Sequence, residues 1–269
     1  MKVARTVRVI SGERRGSSRP LLVETSSGPQ IVKLRGVPQG TGPLVAEIIV
    51  AEFAEAIGLS VPARCLVELD AGAVVPDGDD ELDDVMRESG GLNLGFNFLD
   101  PATDLAARDV ASISSDDQAA ILWLDRFVMN PDRTASNPNL MRSRDRLWLI
   151  DHGAALGFQY NWPAVTEDAA ARPPLEHEPH LFAATVSPNE LAEWDGILAA
   201  RVTRDVLEAA VAQVPDEFLL PLLADDRTGG ALLRRRAAYA AFLWKRLKTP
   251  RGFLAAVTPV RTLGRRGAL

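Results

Sequence analysis

Apolar and polar positions alternate over residues 3–10 (VARTVRVI), a period of two that predicts a strand with unlike surroundings on its two faces. Residues 11–18 (SGERRGSS) break the pattern with glycines and serines and predict a turn. Two short apolar runs follow, 20–25 (PLLVET) and 30–34 (QIVKL), joined through Ser26, Ser27 and Gly28, which predicts a hairpin. The period then changes. Residues 43–59 (PLVAEIIVAEFAEAIGL) carry apolar side chains at helical spacing, with a proline at the start and a glycine near the end. Residues 64–69 (RCLVEL) predict another strand, and 90–99 (GGLNLGFNFL) a glycine-rich strand leading into a hinge. The acidic tract 77–88 (DGDDELDDVMRE) lacks the spacing of a calcium-binding loop and predicts a solvated loop or short helix.

Beyond residue 100 the helical period dominates. A helix is predicted over 116–129 with Ser114 or Ser115 as its cap, then a polar loop over 130–139 and a strand over 147–150. Residues 157–174 predict irregular, exposed chain. Three helices are predicted over 188–200, 204–212 and 229–248, the last with Arg234, Arg235 and Arg236 on a basic outer face, followed by a loose tail after Pro259. Strands gathered before residue 100 and helices after it imply an α+β chain. Residues 1–100 form a small antiparallel sheet with one helix, and 101–269 form a mostly helical part. No internal repeat is present.

Composition narrows the function classes. With 269 residues, 46% hydrophobic and 25% charged, the chain is expected to be an ordinary soluble globular protein with a substantial core. A net charge of −6 argues against nucleic acid as the main partner. Lone Cys65 excludes an intrachain disulfide framework and a cysteine-built zinc site. No apolar run is long enough for a membrane span and no secretory leader is evident, so a cytoplasmic location is expected.

The candidate chemistry lies in the polar loop. Asp132 is followed five residues later by Asn137, and a strand then delivers Asp151 directly before His152 and Gly153. A carboxylate can orient or accept a hydroxyl proton, while a second Asp and an Asn supply hard oxygen ligands to Mg²⁺. Asp, Asn and strand-borne Asp come in the order that kinase-type folds use for their base and two metal ligands. Upstream, Lys33 lies in an apolar strand and Glu47 in the first turn of the next helix, the arrangement by which kinases position ATP phosphates. Gly16, Ser17 and Ser18 occupy the loop that would cover those phosphates. Each signal has a plainer reading: an edge-strand lysine, a glutamate compensating a helix dipole, a turn-forming Asp. Their common order carries the functional one.

At these residues the sequence resembles the HipA-like kinases. The resemblance runs from the loop near Gly16 through "IVKLRG", "LVAEIIVAEFAEAIGLSVP", "NPDRTASNPNL" and "LWLIDHG", and more faintly into "HEPHLF" and the helical tail. It implies a bilobed protein-kinase-like fold binding Mg-ATP between an N-lobe and a helical C-lobe. It also implies Asp132 as catalytic Asp, Asn137 and Asp151 as metal ligands, and Lys33 on the phosphates. Two departures stand out: Thr134 replaces the His that many relatives carry two residues after the catalytic Asp, and the chain is expected to lack an extra N-terminal subdomain.

The expected activity is ATP- and Mg²⁺-dependent phosphoryl transfer to a hydroxyl, a protein Ser or Thr before others. Autophosphorylation at Ser17 or Ser18 would place negative charge where ATP sits. A pseudokinase binding nucleotide or a partner, and a small-molecule kinase of the aminoglycoside-phosphotransferase type, are the alternatives. A zinc site built from His177, His180, Glu176, Glu178 and His152 is disfavoured because Pro179 breaks the helical spacing that such a site needs. No G-x-S-x-G elbow supports a serine hydrolase.

Overall fold

The computed structural model describes residues 1–12, 19–70, 72, 75–76, 80–174, 177–223, 229–248 and 250–255. The chain is α+β. Strands β1 (Val3–Gly12), β2 (Leu21–Thr25), β3 (Gly28–Lys33), β4 (Arg64–Leu69) and β5 (Gly91–Asn97) form a closed barrel in the order β1-β2-β3-β5-β4. Closure is the main departure from the expected antiparallel sheet. Four of the five pairings are antiparallel, but β1 joins β4 in parallel through Val3 with Leu66, Ala4 with Val67 and Arg5 with Glu68. A closed barrel leaves no edge, and β3 lies between β2 and β5, so the edge-strand reading of Lys33 fails.

The barrel interior is small and apolar. Leu21, Val23, Val32, Val67 and Leu69 fill it, and Leu82, Val85 and Met86 of helix α2 (Asp80–Glu88) pack in the same cluster. The acidic tract is therefore helical over its described part, with a strong apolar stripe beneath its charges. Gly95 on β5 has no room for a side chain, because an added Cβ would lie 2.6 Å from Val67 Cγ2.

Helix α1 (Gly42–Ile57) is apolar almost all round and correspondingly buried, from Leu44 and Val45 to Phe53 and Ala54. It ends at Gly58, whose φ of 99° is the left-handed cap that glycine adopts at least cost. One apolar cluster runs from barrel residues Leu66, Leu94 and Phe96 through α1 into the helices that follow. Each such fully buried Leu, Ile or Phe side chain contributes about 1.5–3 kcal/mol of transfer free energy. Those helices are α3 (Ser115–Val128), α4 (Pro188–Arg201), α5 (Arg204–Ala212), α6 (Asp216–Leu219) and α7 (Gly229–Lys248).

A second, three-stranded sheet carries the loop of interest. Strands β6 (Thr103–Asp104), β7 (Leu140–Ser143) and β8 (Arg146–Leu149) lie side by side, with β7 and β8 joined as a hairpin through Arg144 and Asp145, both at positive φ. Only β8 is signalled by the hydrophobic pattern. Residues 157–174 are less exposed than expected: Phe158 and Trp162 stack among Tyr239 and Phe242 of α7. The basic face of α7 is also partly inward, since Arg236 donates to the carbonyls of Val211 and Val214 and to Asp216. No helix among the described residues is long and apolar enough to cross a membrane.

Candidate active site

Lys33 ends β3 with a buried ammonium. Its Nζ touches the fully buried carboxylate of Glu47 and lies 2.7 Å from Asp151 Oδ1. Burial alone would lower the lysine's pKa, but the charges of Glu47 and Asp151 outweigh it and hold the pKa above the ordinary value. Burial likewise pushes Glu47 up, and Lys33 with His152 more than reverses that, leaving Glu47 well below the usual carboxylate range. The ring of His152 is fully buried, with Nδ1 3.5 Å from the second oxygen of Glu47. Glu47 sits in the second turn of α1 and not the first, so the helix dipole does not account for it.

Asp151 has φ 56°, a left-handed conformation that turns the chain sharply after β8. Its side chain remains 39% exposed. Gly153 keeps this corner compact, because a Cβ there would lie 3.1 Å from Pro43 and 3.6 Å from Glu47 Oε1.

The loop after α3 is held from beneath by groups the hydrophobic pattern does not mark. Asp125, fully buried on α3, accepts hydrogen bonds from Arg133 Nε at 2.6 Å and Asn130 Nδ2 at 2.8 Å, and its Oδ2 lies 2.9 Å from His180 Nε2. Burial pushes Asp125 up, yet Arg133 and His180 hold its pKa far below the usual range. Arg133 is itself fully buried and donates onward to the carbonyls of Pro138 and Asn139. Arg246 of α7 caps the same helix end, donating to the carbonyls of Arg126 and Phe127 in the last turn of α3. Burial pushes Arg246 down to about 10.

On this base Asp132 is half-buried. Its Oδ2 accepts from Asn137 Nδ2 at 2.9 Å and Asn139 Nδ2 at 3.2 Å. Thr134 orders the turn between Asp132 and Asn137: its carbonyl and Oγ1 both accept from the Asn137 N–H, and its own N–H donates to the Asn137 carbonyl. The two halves of the site meet where Ile150, the residue before Asp151, donates its N–H to the Asn139 carbonyl at 3.1 Å.

Of the residues singled out in the sequence, Lys33, Glu47 and Asp151 are in contact, and Asp132 and Asn137 hydrogen-bond each other. Gly16, Ser17 and Ser18 lie outside the described residues. Asp125 lies outside the segments that carry the resemblance, while Asn130, Arg133, Asn139 and His180 fall inside "NPDRTASNPNL" and "HEPHLF" with nothing in the sequence to assign them these partners. A charged residue at mid-helix among Leu122, Trp123, Leu124 and Phe127 was the available signal for Asp125. His180 is spent on Asp125 and on the Phe182 N–H. Among the described residues no group of three or more His, Cys, Asp or Glu side chains could hold a metal. The donors on offer are instead two carboxylates and one amide. Nδ2 of Asn137 donates to Asp132, and a sparse set of side-chain oxygens of this kind is the type that Mg²⁺ takes where phosphates and water complete its shell.

A family model described as HipA-like kinase matches residues 6–221. No curated protein matches the chain. Among solved structures, the chain is similar to the proinflammatory kinase CtkA of Helicobacter pylori, with a TM-score of 0.53 and 9% identity over 89% of this chain and 91% of that one. It also aligns with the choline kinase LicA of Streptococcus pneumoniae, at a TM-score of 0.35 and 13% identity over 89% and 95% of the two chains.

Proposed function

Because this chain belongs to the HipA-like kinases, and is therefore a phosphotransferase, we propose that it moves the γ-phosphoryl group of ATP to a hydroxyl, that of a Ser or Thr in a protein or peptide. In this reading residues 1–100 act as the N-lobe over the nucleotide and 101–269 as the C-lobe beneath it. The observation that carries it is the ammonium of Lys33 pinned between buried Glu47 and half-open Asp151, beside a loop whose Asp132 and Asn137 are already oriented.

Lys33 would lie against the α- and β-phosphates, its charge fixed by Glu47 so that little reorganisation accompanies binding. Asn137 and Asp151 would hold Mg²⁺, which when bound offsets phosphate charge and aligns the γ-phosphoryl group. For this, Asp151 exchanges part of its contact with Lys33 for the cation. Asp132 would receive or orient the acceptor hydroxyl proton, and backbone N–H groups near Gly16, Ser17 and Ser18 would cover the phosphates.

Transfer within the chain to Ser17 or Ser18 belongs to the same proposal, since negative charge there would oppose ATP binding. The test is incubation with Mg²⁺ and ATP. Wild-type protein is expected to release ADP and to gain phosphate at Ser17 or Ser18 by mass spectrometry, and Asp132→Asn to lose both by roughly 10²–10⁴-fold, the usual worth of a positioned acid–base group. Equal ADP release by the two proteins would refute Asp132 as the group that serves the acceptor.

A further inference from the structure

Asp132 is gripped by two amides, and only one of them has a place in the proposed reaction. Asn139 stands seven residues after Asp132, and its Nδ2 donates to the same Oδ2 that Asn137 contacts. Its backbone is at φ 49°, in the left-handed region that Asn tolerates better than most residues. That conformation is fixed from both sides. The Asn139 carbonyl accepts from Arg133 Nη1 at 2.6 Å and from the Ile150 N–H at 3.1 Å. Arg133 is the buried cation that anchors the loop to Asp125, and Ile150 precedes Asp151. Asn139 therefore joins the Asp132 carboxylate, the foundation of its loop and the strand end bearing the second carboxylate.

Resting on the kinase reading above, we propose that Asn139 is a positioning residue for Asp132. Its amide holds Oδ2 so that the other oxygen, Oδ1, faces the acceptor hydroxyl. Asn137 in the proposed reaction also holds a cation through its side-chain oxygen, so its grip on Oδ2 depends on where that cation settles. Asn139 has no such competing duty. Its carbonyl is bound to the scaffold, and its side chain is free to keep the carboxylate in one rotamer. Proton transfer depends steeply on that geometry, and a misplacement of about 1 Å costs on the order of 10²-fold in rate.

Asn139→Gly isolates the amide, since glycine accepts positive φ without strain and keeps the carbonyl that Arg133 and Ile150 use. ADP release with water as acceptor is compared for wild type, Asn139→Gly and Asp132→Asn, together with the KM for ATP, the Kd for a non-hydrolysable ATP analogue with Mg²⁺, and the melting temperature. The expected result is a kcat lowered roughly 10–100-fold in Asn139→Gly. KM and Kd should stay within about threefold, a free-energy change under about 0.7 kcal/mol, and melting should not change. An unchanged kcat in Asn139→Gly, with Asp132→Asn inactive, would overturn the positioning role while leaving the kinase reading in place. A Kd weakened as much as kcat would make Asn139 a cation ligand instead, and a fall in melting temperature tracking the loss would make it structural; either overturns the proposal. Wild type and Asp132→Asn releasing ADP alike, or not at all, would remove both readings together.

Discussion

If Asp151 holds the cation as proposed, Asp151→Asn is expected to lower ADP formation by about 10³-fold, the scale set by removing one preorganised electrostatic partner of a transferring phosphoryl group. The substitution keeps the shape of the side chain and removes its charge. Lys33 keeps the buried carboxylate of Glu47, so its ammonium is not stranded. Asp151 itself is more than a third exposed, so melting should fall by no more than a few degrees. Activity lost without stability is the signature of a residue kept for its ligand. Steady-state ADP release and a thermal melt, taken on one preparation, check it. A variant with the turnover of wild type would show that the charge of Asp151 has no part in transfer.

Asp125→Ala is expected to give a different signature, with stability and turnover lost together. It removes the acceptor of three groups, among them the fully buried guanidinium of Arg133, and leaves that cation without its charge partner. Breaking a buried pair from one side costs about 3–5 kcal/mol, which for a chain of this size is a fall of roughly 6–20 °C in melting temperature. Turnover should fall as well, because Arg133 carries the carbonyls of Pro138 and Asn139 that shape the loop. The pH dependence follows from the sign of the shift. Asp125 has a depressed pKa in the folded chain, so its stabilisation is full above its unfolded value near 4 and fades as pH falls toward the folded one. Denaturant titrations at pH 7 and pH 3 should therefore show the gap between wild type and Asp125→Ala narrowing in acid. A gap unchanged between those pH values would mean that the charge of Asp125 is not what holds the loop.

Local periodicity made the elements legible where each was long or strongly patterned. Residues 64–69, 204–212 and 229–248 match β4, α5 and α7 at both ends. What periodicity could not carry was any pairing between distant segments. The parallel contact of β1 with β4 depends on two strands about sixty residues apart, and nothing in either run favours a barrel over an open sheet. Strand β7 is four residues long with Arg142 and Ser143 in it, too short and polar to stand out until β8 lies beside it.

The site divides along the same line. Lys33, Glu47, Asp132, Asn137 and Asp151 could be singled out because their chemistry has a recognisable order along the chain. Asp125 and His180 could not, because 55 residues separate them and their role exists only once the loop closes between them. Glu47 shows the intermediate case: its apolar neighbours marked it as buried, while its depth in α1 and its second partner, His152, emerged only from packing.

A crystal structure with Mg²⁺ and a non-hydrolysable ATP analogue addresses the central claim most directly, since it locates phosphates and cation against named side chains. The expected density has the α- and β-phosphates on Lys33 Nζ, the cation on Asn137 and Asp151, and the γ-phosphate facing Asp132. Nucleotide bound away from Lys33, or a cation that touches neither Asn137 nor Asp151, would contradict it.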